Sequence, residues 1–273
     1  MTVANFEHLN ILKQGVPQWN NWRQDHDAPS PDFRDAELSQ INLKRANLTG
    51  ADFSGADLRE ANLSQAMLRQ ANFSRADLSR ANLSESHLHG AELSRANLSE
   101  VTLFRAILIK ATLFRTLLKK ANLKGAILIE ADLTGAKLIE ASLTEASLIG
   151  AYLNNATMDW ADLRHADLSN ASLRGAILIQ ANLHGATLME VILTRAVLIR
   201  ANLSQADCSH GNLKATNLSY ANLSRTNLSY ANLSEANLSH TLPGLAKLCH
   251  TILPRGIKLD PNRDCQTLGL INK

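Results

Sequence analysis

His87 and His89 stand one residue apart, the tightest pairing among nine histidines spread over 273 residues. Zinc takes three or four ligands from His, Cys and carboxylate side chains, so a lone His-x-His falls short of a site. Cys208, Cys249 and Cys265 show no Cys-x-x-Cys spacing, and their odd number speaks against a disulfide framework and fits a reducing compartment. Serine is abundant, but it recurs at a fixed place in a repeat, so a serine near a histidine carries no sign of a nucleophile. Neither a phosphate-cradling glycine loop nor a dinucleotide fingerprint occurs. These residues point away from an enzyme, and toward a chain with no cofactor and no metal.

The repeat that places these side chains is strict. Every fifth residue from Phe33 to Leu238 gives 42 positions, of which 37 are Leu and the others Phe33, Phe53, Phe73, Met158 and Cys208. Two residues earlier, from 36 to 236, Ala fills 33 of 41 positions. Asn or Asp usually lies between, and Ser, Thr or an aliphatic residue usually follows the Leu. The register falters at Pro243 and resumes at Leu248 and Leu253.

A period of five fits neither regular backbone. On an α-helix five residues advance about 500°, which smears the Leu positions around the cylinder. On a straight strand an odd period turns successive Leu side chains to opposite faces. All can be buried only if the chain bends once per repeat and sends each Leu to a common axis, with Ala turned inward where space is short. Gly50, Gly55, Gly125 and Gly135, two residues after the Leu, ease some of those bends.

Runs such as Ala46-Asn47-Leu48-Thr49-Gly50 followed by Ala51-Asp52-Phe53-Ser54-Gly55 resemble the A(D/N)LXX signature of the pentapeptide-repeat family, over about three-quarters of the chain. The resemblance implies an all-β fold, a right-handed quadrilateral β-helix with four repeats per coil. Residues 33–253 then make about eleven coils, a rod on the order of 50 Å long at a strand spacing of about 4.8 Å. Residues 1–32 are expected to form a helical cap and linker. Phe6, Leu9 and Leu12 sit at helical spacing, Gly15 and Pro17 interrupt, and Trp19 and Trp22 follow. Leu12 to Arg23 also resembles the N-terminal extensions of cyanobacterial pentapeptide-repeat proteins; a cap is preferred here over a separate recognition motif. Asp25 to Pro31 reads as a linker, and residues 254–273 as an irregular tail closing the other end. Cys208 occupies a Leu position and is expected to be a buried, inert thiol.

With twenty residues per coil, outward positions fall into rows. Arg80, Glu100, Lys120 and Glu140 alternate in sign on one row, and Lys110 and Glu130 do so on another, as solvated ion pairs of small value. Arg75, Arg95 and Arg115 instead stack three like charges, a candidate anion stripe that competes with the plainer reading of a solvated row. The middle of the chain replaces the usual Ser or Thr with apolar residues. Ile109, Ile129 and Ile149 share a row with Ile107 and Ile127 beside it, and Ile139, Ile179 and Ile199 share the opposite row with Leu117, Ile177 and Val197 beside it. Phe104 and Phe114 are placed at the near end. If outward, these residues form exposed apolar stripes of the kind that mark interaction sites, against the plainer reading that branched residues suit strands.

The leading functional reading is a non-catalytic protein-interaction scaffold whose stripes dock a protein partner or a second copy. Some pentapeptide-repeat proteins mimic duplex DNA and inhibit or protect DNA gyrase, which gives a second reading. That mimicry rests on a strongly negative rod, whereas residues 33–242 hold 21 basic and 19 acidic residues and the chain's net charge is +3. No nucleic-acid partner is expected. The first residues lack a basic segment followed by an apolar run, and no stretch reaches about 18 consecutive apolar residues. No membrane association and a cytoplasmic setting are therefore expected.

Overall fold

The computed structural model describes residues 4–24 and 30–268. The expected linker at 25–31 falls mostly outside these residues. From residue 31 to 240 every repeat has the same course, an isolated β-bridge followed by a turn. The bridges are parallel and join residues twenty apart, from Asp32 with Asp52 to Asn232 with Ile252. Four five-residue repeats therefore close one coil, and the chain is a right-handed quadrilateral β-helix.

Two kinds of hydrogen bond hold one coil to the next. Leu48 N–H donates to Met67 C=O at 2.8 Å, and Met67 N–H donates back to Ala46 C=O at 3.0 Å. Each corner is closed by a bond such as Ala36 N–H to Phe33 C=O at 3.1 Å. The third residue of that turn needs positive φ, as in a type II turn. Glycine supplies it at Gly50, Gly55, Gly125 and Gly135, yet among the described residues 35 other than glycine also hold positive φ, nearly all at these corners. Each forgoes roughly 1–2 kcal/mol relative to an ordinary conformation. The compensation is a full ladder, because the corner N–H is also used, as in Asp35 N–H to Ser54 C=O at 3.0 Å.

The interior contains the Leu and Ala columns, nearly all at or close to zero exposure. The four faces are named by their core residues in coil order: the first carries Phe33, the second Leu38, the third Leu43 and the fourth Leu48, each repeating every twenty residues. On the first face Phe33, Phe53 and Phe73 stack with ring centroids 4.9 and 5.1 Å apart. Trp19 covers the end of this stack, its ring tilted by 57° and centred 5.4 Å from Phe33.

Trp19 belongs to the N-terminal cap, made of α1 (Phe6–Lys13) and α2 (Val16–Trp22). Asn5 caps α1 by accepting from the N–H groups of Glu7 and His8. Gly15, at φ 109°, turns the chain into α2. The cap pairs the open edge of the first coil. Trp19 Nε1 donates to Asn47 C=O at 2.8 Å, Asn20 Oδ1 accepts from Asn47 N–H at 2.8 Å, and Asn20 Nδ2 donates to Arg45 C=O at 3.1 Å. Asp32 N–H donates to His8 Nδ1 at 3.0 Å, and Asp32 C=O accepts from Asn5 N–H at 3.1 Å. Burial pushes the His8 imidazole below its usual pKa against the opposing pull of Asp32 and Glu7.

At the other end the third-face ladder stops where Pro243–Leu245 forms a 3₁₀ turn. Residues 260–268 then fold back over the last coil. Asp264 N–H donates to Leu248 C=O at 2.9 Å and Asp264 Oδ2 accepts from Leu248 N–H at 2.8 Å, while Asn262 Oδ1 accepts from His250 N–H at 2.8 Å. A Cys249–Cys265 disulfide, with Cα atoms 4.8 Å apart, ties the tail down. This bond runs against the reading that the cysteines form no disulfide framework: spacing along the chain could not show that the tail returns to the coil it leaves. Cys208 alone is free, and burial, with Asp207 adding to it, pushes its thiol up to about 12.

Candidate interaction surface

The outward side chains flanking each core Leu work as a pair. Where the preceding residue is Asn or Asp, its oxygen accepts the N–H of the residue following the Leu, as in Ser54 N–H to Asp52 Oδ1 at 2.9 Å. A serine there often adds its hydroxyl, as from Ser99 to Asn97 Oδ1 at 2.7 Å. Asparagine amides also bridge coils, Asn202 Nδ2 reaching Asn182 Oδ1 at 3.1 Å. The Asn-Leu-Ser pattern is thus a hydrogen-bonded surface that supports its own turns.

In the middle of the rod this surface gives way to hydrocarbon, and both flanking positions change together. Ile107-Leu108-Ile109 and Ile127-Leu128-Ile129 occupy adjacent coils of the fourth face, bridged at Ile107 and Ile127, and Ile149 extends their row. Ile177-Leu178-Ile179 and Val197-Leu198-Ile199 do the same on the second face, bridged at Ile177 and Val197, with Ile139 two coils before Ile179. The two patches lie on opposite sides of the rod.

Two features differ from the sequence expectation. The patch residues are half-buried, because coils about 4.8 Å apart bring each branched side chain against the next. Phe104 and Phe114 join neither patch: they lie on the third and first faces, each beneath an arginine, with Arg105 over Phe104 at 5.1 Å and Arg115 over Phe114 at 5.0 Å. Their place a quarter-turn from the isoleucine rows follows from the twenty-residue register.

Trp160 was not singled out by its sequence context, yet it stands 58 % exposed at the corner beside Ile179, whose carbonyl accepts its backbone N–H at 3.0 Å. Leu117, 45 % exposed, lies on the same face. The signal for Trp160 was its corner position, two residues after core residue Met158.

The alternating rows form ion pairs, Arg80 with Glu100 at 3.1 Å, Lys110 with Glu130 at 3.4 Å and Lys120 with Glu140 at 3.5 Å. All are well exposed and each is worth little. The structure places Arg75, Arg95 and Arg115 on adjacent coils of one corner. Cys249, His250 and Cys265 gather within 4.8 Å, but with both sulfurs in the disulfide only His250 keeps a ligand atom. Among the described residues no helix is long and apolar enough to cross a membrane.

The family model for pentapeptide repeats matches in 8 copies between residues 32 and 242. A search of curated proteins by sequence gave no match. Among solved structures, HetL, a pentapeptide repeat protein involved in heterocyst differentiation regulation from the cyanobacterium Nostoc sp. strain PCC 7120, is 39 % identical. That match covers 80 % of this chain and 91 % of HetL, with a TM-score of 0.37. Rfr23, from the cyanobacterium Cyanothece 51142, is 38 % identical over 34 % of this chain and 63 % of its own, with a TM-score of 0.33. QnrB1, a plasmid-mediated fluoroquinolone resistance protein, is 18 % identical over 80 % of this chain and 90 % of its own at a TM-score of 0.40, a likeness that says nothing of function here. The matched repeats span most of the sequence and the coils they form span most of the structure, so the chain belongs to the pentapeptide repeat family.

Proposed function

We propose that this protein is a non-catalytic scaffold that docks a partner protein through the two apolar patches. The observation that carries the reading is the paired switch from Asn-Leu-Ser to Ile-Leu-Ile, or Val-Leu-Ile at 197–199, in neighbouring coils of two opposite faces. A turn gains nothing from it, since the asparagine that caps the turn is lost. Exposed Trp160 adds an aromatic anchor of the kind enriched at binding hot spots. Opposite patches on one rod would let it hold two partners, or bridge a partner and a second copy.

The test uses the tagged full chain and an Ile129→Ser, Ile149→Ser, Ile179→Ser variant. Serine already follows the core Leu in many repeats, so the variant should keep the fold. Proteins captured from the source lysate by the parent and lost by the variant would support the reading, as would a self-association seen in sedimentation and lost likewise. Identical capture and sedimentation by both would sink it. The near-balanced charge does not favour DNA mimicry, and purified gyrase is expected to supercoil DNA normally in the rod's presence. A cytoplasmic setting suits the free Cys208 but not the Cys249–Cys265 disulfide, and gel mobility of alkylated protein taken from the cell, with and without reductant, distinguishes the two.

A further inference from the structure

The charge on the rod is unevenly shared among its faces. Between residues 72 and 215 the first face and the corner after it carry Arg75, Arg95, Arg115, Arg174, Arg195 and Lys214, against Glu92 and Asp132 alone. Both carboxylates are turned to their own coils, Glu92 Oε1 accepting Ser94 N–H at 2.7 Å and Asp132 Oδ1 accepting Thr134 N–H at 2.9 Å. Over the matching coils of the fourth face the balance reverses, with Lys110 facing Glu130, Asp167, Glu190 and Asp207.

Corner rows can neutralise themselves, as the Arg80–Glu100 and Lys120–Glu140 pairs show. The first-face arginines do not. Among the described residues, Arg75, Arg95, Arg115, Arg174 and Arg195 make no ion pair; Lys214 pairs with Glu235 at 3.2 Å. Arg115 lies over the ring of Phe114 at 5.0 Å. Arg174, Arg195 and Lys214 also line an open hollow of about 630 Å³ together with Asn154, Asn155, Thr194 and one carboxylate, Glu235, which Lys214 neutralises, so that Arg174 and Arg195 carry its unpaired positive charge. Gly175 and Ala215, on either side of Arg195 along the corner, keep this hollow open.

We infer that the first face is a binding surface for an extended acidic polypeptide segment of a partner, with carboxylates held by Arg75, Arg95 and Arg115 at one end and by the Arg174–Arg195–Lys214 hollow at the other. Guanidinium forks pair with carboxylates through two parallel hydrogen bonds, which suits arginine to this task. The two clusters together span seven coil steps, about 34 Å, or about ten residues of extended chain. The inference deepens the scaffold reading and rests on it, but it uses a face that the apolar patches do not.

The test measures fluorescence anisotropy of a labelled deca-glutamate peptide with the full chain at about 20 mM salt, where exposed charges are least screened. Three variants are compared: Arg75→Gln with Arg95→Gln and Arg115→Gln; Arg174→Gln with Arg195→Gln; and, as control, Lys110→Gln with Lys120→Gln. Gln already occupies corners at positive φ, as at Gln65 and Gln180, so the corner changes are compatible with the backbone, and Arg174, which directly follows Leu173, is not at positive φ. The expected result is saturable binding, weakened at least tenfold in both first-face variants and unchanged in the control. No binding, or equal weakening in all three, would overturn the inference. So would tighter binding of a single-stranded oligonucleotide of equal charge, which would give the face to nucleic acid. Capture through the isoleucine patches should be unaffected by the arginine changes. A failure on the first face is thereby told apart from a failure of the scaffold reading.

Discussion

Trp19 donates its indole N–H to the carbonyl of Asn47, 28 residues away, and so stands in for a strand that the first coil has no predecessor to supply. An unpaired strand edge invites pairing with another chain. Replacing Trp19 with Phe keeps most of the ring contact with Phe33 but leaves that carbonyl without its partner, at a cost of about 1–3 kcal/mol. Asn20→Ala removes two edge bonds at once. Urea denaturation is expected to show both losses, and size-exclusion chromatography of Asn20→Ala should show larger species from end-to-end pairing. Unchanged midpoints in both variants would mean that the cap does not stabilise the rod.

The cap also has a pH response. His8 accepts the Asp32 N–H through Nδ1, so protonation of that nitrogen breaks the bond. Its folded pKa is lowered, hence the unfolded chain binds the proton more readily, and stability is full above the ordinary value of about 6.5 and declines as pH falls below it. Asp32, held below the usual carboxylate range chiefly by its hydrogen bond from Arg34, contributes a separate loss only at much lower pH. Tryptophan fluorescence in urea should show the cap melting earlier at pH 5.5 than at pH 7.5. His8→Gln, which keeps an acceptor without the titration, should flatten that difference.

Reduction of Cys249–Cys265 should act locally. A disulfide closing a loop of about 15 residues is worth up to about 3 kcal/mol, and in a solenoid that loss falls on the coils beside it. Hydrogen exchange is expected to quicken around 246–265 in a Cys265→Ser variant while residues near Leu128 stay protected. Thiol titration of the denatured parent should count one group without reductant and three after reduction. Native Cys208 should stay silent to the reagent.

Leu128 is fully buried at the centre of the rod. Leu128→Lys places an ammonium among Leu and Ala columns with no carboxylate to meet it, a change expected to cost more than about 4 kcal/mol. Limited proteolysis should cut the variant in the coils around residue 128. An intact, protease-resistant rod would show that the coil can turn this side chain out.

The coil was legible because one residue type returns every five positions and only a bending chain can bury it each time. The same arithmetic gave the Arg80–Glu100 and Lys120–Glu140 pairs, whose partners lie twenty residues apart on one row. It also separates Phe104 and Phe114 from the isoleucine rows. What could not be read lies where the register ends. The contacts of Trp19 and Asn20 depend on how α2 lies across the first coil. The pairing of Cys249 with Cys265 depends on a tail whose path after Pro254 follows no period. The half-burial of Ile129 and Ile179 was hidden for another reason: outward direction is a property of one residue, whereas exposure depends on the width of its neighbour one coil away.

The uninterrupted count of twenty gives this rod two grammars of growth. A duplicated block of twenty residues would add one floor and leave every face above it in phase. A duplicated block of five would turn everything downstream by a quarter, carrying the Arg174–Arg195 hollow away from Arg75, Arg95 and Arg115 while hardly disturbing the core. Length and azimuth are therefore inherited through separate kinds of copying error, and lineages of such rods can rearrange what they display without relearning how to fold.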